Sequence, residues 1–62
     1  MTAPTEDRFR QLRHDLSNPL SAILAETQLL LLRAETLDEE TVTSLREIEA
    51  LSRRMREILQ RN

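Results

Sequence analysis

Apolar or small side chains recur at Phe9, Leu12, Leu16, Leu20, Ile23, Thr27, Leu30 and Ala34. Steps of three and four residues keep such positions on one side of an α-helix, so the pattern predicts a long amphipathic helix over about 5–34. Leu24 and Leu31 widen its apolar stripe. A second stripe, Leu37, Thr41, Leu45, Ile48, Leu51, Ser52, Met55, Ile58 and Leu59, predicts another helix over about 37–61. The break falls at Ala34-Glu35-Thr36. A connection of about one to three residues makes the helices antiparallel neighbours. The expected fold is therefore all-α, an antiparallel helical hairpin.

The punctuation supports these limits. Residues 1–4 are expected to fray, with Thr5 as N-cap and Glu6 and Asp7 favourably placed in a positive first turn. Thr36-Leu37-Asp38-Glu39 has the capping-box spacing, which makes Thr36 the expected cap of the second helix. Arg53, Arg54, Arg56 and Arg61 gather towards its end, where cations suit the dipole. Pro19 is the exception inside an element. It lacks an N–H and crowds the carbonyl of Asp15. Because the stripe passes through it in phase, the expectation is a continuous but kinked helix that frees backbone groups near His14.

Size then changes the picture. Ordering 62 residues at roughly 1.5 kcal/mol each calls for roughly 3,600 Å² of apolar burial at about 25 cal/mol per Å². One seam between two helices covers less than that, so the hairpin is expected to self-associate into a homodimeric four-helix bundle. Composition narrows the function classes. Without cysteine there is no disulfide framework or thiolate metal site. Without glycine there is no phosphate-cradling loop, hence no ATP site of a recognisable kind. One histidine with scattered carboxylates is poor evidence for a metal site. A net charge of -2 argues against nonspecific nucleic-acid binding. The longest apolar run, Leu29–Leu32, is far too short for a secretory or membrane segment, so a cytoplasmic protein is the expectation.

The candidate chemistry sits in His14-Asp15-Leu16-Ser17-Asn18-Pro19-Leu20. At about 100° per residue, the imidazole of His14 points roughly 150° away from the Leu12, Leu16, Leu20 and Ile23 cluster. Spacing alone makes it an ordinary surface histidine. Its neighbours add a second reading. Asp15 is able to hold one ring nitrogen and leave the other as a nucleophile. Asn18, one turn on, carries an amide that can orient a water or a phosphoryl oxygen. Phosphoryl transfer depends on positioning and charge, so a small constellation suffices if a partner brings metal and nucleotide. On the same side, Ser21, Ala22 and Ala25 admit close approach by another helix, and Leu29 and Leu32 offer apolar contact. Alternatively, the alanines are simply good helix formers and the leucines close the bundle end. The antiparallel register brings the arginine cluster level with His14, either as solvated surface or to attract phosphate.

HDLSNPLSAI, residues 14–23, resembles the H-box of the dimerisation and histidine-phosphotransfer domain of bacterial two-component sensor histidine kinases. The likeness extends over about residues 6–61. It implies that His14 is the phosphoacceptor, attacking the γ-phosphate of ATP held by a separate catalytic domain. Asp15 would be the base or orienting partner, and Asn18 would position water in the reverse, phosphatase reaction. Pro19 would supply a helix bend that accompanies signalling. The phosphoryl group would pass to a receiver-domain aspartate of a response regulator docked near Ser21, Ala22 and Ala25. Ser17 departs from the pattern, standing where many members carry a basic or amide residue.

The resemblance thus implies one dimerisation and phosphotransfer domain over residues 1–62, with no ATP-binding domain, metal or cofactor of its own. Mg-ATP would arrive through a catalytic domain, in cis if this is a fragment of a longer kinase or in trans if it stands alone. The alternative is a non-catalytic helical dimerisation module on which His14 merely decorates the surface.

Overall fold

The computed structural model describes residues 4–61, and these form the expected hairpin: α1, Pro4–Leu31, and α2, Glu39–Gln60. α1 opens on a proline, whose missing N–H is one that a helix start leaves free anyway. Thr5 therefore lies inside the first turn and is not its cap; of residues 1–4, expected to fray, Pro4 belongs to the helix and 1–3 fall outside the described residues. α1 runs on through Pro19. The proline leaves the Asp15 carbonyl without its helical donor.

The connection is longer than the periodicity suggests. α1 ends at Leu31, and a turn leads into a single 3-10 turn, Ala34–Thr36. Backbone bonds from Arg33 N–H to Leu30 O (3.0 Å) and from Leu37 N–H to Ala34 O (3.2 Å) hold this corner. The Thr36 hydroxyl donates backwards to Arg33 O at 2.8 Å, so it does not cap α2. Asp38 does, its Oδ1 accepting from the Thr41 N–H at 2.7 Å. Two residues separate the expected cap from the real one because Leu37 and Asp38 are both extended and delay the helix. At the far end, the last turn of α2 holds no basic residue. Arg61 is the C-cap through its N–H to Glu57 O at 3.1 Å, and Arg53 pairs with Glu49 at 3.4 Å.

Hydrogen bonds from Thr41, side chain first and then N–H, hold the Asp38 carboxyl below its ordinary value of 3.8. A carboxyl depressed on folding stabilises above its unfolded pKa and loses that contribution as pH falls through the folded one. Asp38→Ala should therefore lower the urea midpoint at neutral pH, and the gap from the parent should close below about pH 4. Thr36→Ala should leave the midpoint nearly unchanged.

Packing divides the predicted stripe in two. The seam between the helices consists of Arg13, Ser17, Leu20, Leu24, Thr27, Leu31 and Ala34 against Val42, Leu45, Glu49, Ser52, Arg56 and Leu59. Both rows follow alternating steps of four and three, the signature of a coiled-coil seam. Among the described residues only Leu20, Leu24, Thr27 and Ser52 are buried, at 4–5% exposure. The hydroxyls in α1 are accommodated by bonding back along their own helix, Ser17 to Arg13 O and Thr27 to Ile23 O, both at 2.6 Å.

A second row, Phe9, Leu12, Leu16, Ile23 and Leu30 with Ile48, Leu51, Met55 and Ile58, is exposed. It borders an apolar groove lined by Leu16, Pro19, Leu20 and Ile23 from α1 and Ile48, Leu51, Ser52 and Met55 from α2. The chain exposes 5334 Å², against about 4,200 Å² for a compact monomer of 7.3 kDa. Its radius of gyration is 15.4 Å, where a globule of this length has about 11 Å. The hairpin is a rod with one wet apolar flank.

Candidate functional site

α1 presents a third row, turned away from both the seam and the apolar flank: Asp7, Arg10, Gln11, His14, Asn18, Ser21, Ala25 and Gln28. The His14 side chain is 71% exposed, so the ring faces solvent as the spacing predicts. Its Nδ1 lies 3.7 Å from Asp15 Oδ1. That is close for charges but too long for a hydrogen bond. Asp15 Oδ1 instead accepts from Gln11 Nε2 at 2.9 Å. Gln11 thus fixes the carboxylate, which faces Nδ1 and leaves Nε2 free.

Asn18 and Pro19 are exposed, Asn18 one helical turn beyond the ring. Ser21, Ala22 and Ala25 are exposed too, and Ala25 joins Gln28, Leu29 and Leu32 around a shallow apolar depression near the corner. Ser17 does not belong to this face: half-buried in the seam, its hydroxyl is committed to Arg13 O. In the opposite direction, Asp7, Arg10, Gln11 and His14 line a shallow cleft in which Arg10 Nη1 meets Asp7 Oδ1 at 3.7 Å. None of these three partners was expected from the sequence. Their signal was their spacing of seven, four and three residues before His14, which a helix turns to one face.

The groove that sets residues 16–23 against 48–55 also fixes the register. Continued by one turn, it brings the Arg56-Glu57 segment level with His14. Arg56 lies half-buried on the seam, and Arg54 and Arg61 are exposed. Among the described residues no three carboxylates, histidines or cysteines converge as a metal site would need. No described helix is long and apolar enough to cross a membrane.

The family described as the His Kinase A (phospho-acceptor) domain matches residues 6–61. Among curated proteins and among solved structures, nothing matches the chain.

Proposed function

The chain belongs to the His Kinase A phosphoacceptor family, and from that premise we propose that it is the dimerising, phosphoryl-carrying part of a two-component histidine kinase. The observation that carries the reading is the solvent-facing His14 ring beside the Asp15 carboxylate, inside the matched segment. His14 Nε2 attacks the γ-phosphorus of ATP held by a separate catalytic domain. The nitrogen–phosphorus bond forms as the bond to the bridging oxygen breaks, and ADP departs with that electron pair. Asp15 favours the proton on Nδ1, so that the lone pair stands on the nitrogen facing outwards.

Two chains bring their exposed flanks together in a four-helix bundle, with His14 outside on each. A receiver domain of a response regulator docks along Ser21, Ala22 and Ala25 and takes the phosphoryl group onto an aspartate. In the reverse direction the Asn18 amide positions a water against the receiver's acyl phosphate. Pro19, which removes a backbone bond beside the site, is where the helix bends between these states.

Phosphorylated chain, freed of nucleotide and mixed with its receiver domain and Mg²⁺, should lose its label to the receiver. In Asn18→Ala this forward transfer should change little, while receiver dephosphorylation falls by about 10²-fold, the scale of a lost positioning group. A chain that takes no label, from ATP or back from a phosphorylated receiver, would favour a plain dimerisation module. Unchanged dephosphorylation in Asn18→Ala would remove that residue from the reverse reaction.

A further inference from the structure

We infer that Arg10 is the counter-charge for the phosphorylated ring, and that Asp7 competes with the phosphoryl group for it. The inference rests on reading His14 as the phosphoacceptor. Arg10 precedes His14 by four residues, the spacing at which helical side chains meet, and both line one cleft with Asp7 and Gln11. A phosphoryl group on His14 adds nearly two negative charges and three acceptor oxygens to this cleft. It already holds the Asp7 carboxylate, and the Asp15 carboxylate stands 3.7 Å from the ring, so an anion there needs a cation.

Of the other cations, Arg8, Arg54 and Arg61 are exposed but none lines this cleft. Arg13 and Arg56 are half-buried on the seam side, and Arg53 is engaged with Glu49. The Ser17 hydroxyl is taken by Arg13 O. Among the described residues Arg10 is held only by Asp7, through a 3.7 Å contact between side chains that are 68% and 57% exposed. Such a pair contributes little and exchanges readily. A phosphoryl dianion offers the guanidinium more charge and a paired set of acceptors, so Arg10 moves one turn along the face from Asp7 to the modified ring. Arg10 is thus a positioning residue for the phosphorylated state.

The test needs no catalytic domain. Phosphoramidate phosphorylates an exposed imidazole directly: its phosphorus–nitrogen bond breaks, ammonia leaves, and the new bond forms to the ring. The phosphorus-31 resonance of the phosphorylated chain is then followed against pH. The other charged groups near the ring are Arg13 and Asp15 on α1 and, level with it or one turn on along α2, Arg56, Glu57 and Arg61, all unchanged in the variants. Arg10→Gln should move the midpoint to higher pH by about 0.3, because the dianion loses its partner, and should speed hydrolysis. Arg10→Lys should restore most of the shift, and Asp7→Asn should move the midpoint the other way. Equal midpoints in parent, Arg10→Gln and Asp7→Asn would overturn the inference, as would a shift that follows lost helicity in circular dichroism. Either result leaves transfer to a receiver standing, and failure of that transfer leaves this titration intact.

Discussion

Ile23→Asp should dissociate the dimer and, on dilution, melt the helices. Ile23 is 49% exposed in the single hairpin and lies at the centre of the uncovered apolar flank. In the bundle each copy of the substitution forfeits the burial of a branched side chain and places a carboxylate where water is excluded. A loss of about 2–3 kcal/mol from each of two copies weakens association by roughly 10³–10⁴-fold. The hairpin has little to fall back on, with only Leu20 and Leu24 as buried apolar residues in its own seam. Leu29→Asp is the control. Leu29 is exposed to a similar degree, 57%, but lies beside the His14 row. Sedimentation equilibrium with circular dichroism at the same concentrations separates the two. Equal association in Ile23→Asp and Leu29→Asp would mean that the flank is not the interface.

The hairpin was legible because the three-and-four stepping of Leu16, Leu20, Ile23 and Leu30 leaves no other regular element. The division of labour within that stripe was not. Leu24 and Leu31, which looked like a widening, belong to the seam, whereas Leu16 and Ile23 face outwards. Hydrophobicity hides the seam because nearly half of it is polar: Arg13, Ser17, Thr27, Glu49, Ser52 and Arg56. Ser17 and Thr27 are tolerated there through bonds to their own helix, which no periodicity announces. The start of α2 is ambiguous in the sequence for a related reason. Thr36 and Asp38 are both good caps in front of acidic residues, and only the extended backbone at Leu37 and Asp38 selects the second.

For the site, the outward aim of His14 followed from helical geometry alone. What escaped was its setting. Looking forward from the ring finds Asp15, Asn18 and Pro19. Looking back one and two turns finds Gln11 holding Asp15, and Arg10 with Asp7 in the same cleft. The H-box resemblance covers the ring and the residues after it, while the carboxylate that faces the ring is positioned from upstream.

His14→Gln should abolish phosphorylation while leaving the dimer intact. Glutamine has no nucleophilic nitrogen, yet it is a good helix former at an exposed site, where substitutions change stability by less than about 0.5 kcal/mol. Loss of label therefore reports chemistry and not folding. The decisive measurement supplies the purified chain with a histidine-kinase catalytic domain and labelled Mg-ATP, then reads acid-labile phosphate on parent and variant. A label that maps to His14 in the parent, and is absent from an equally dimeric His14→Gln, is the predicted result. A label that persists in His14→Gln would contradict the account.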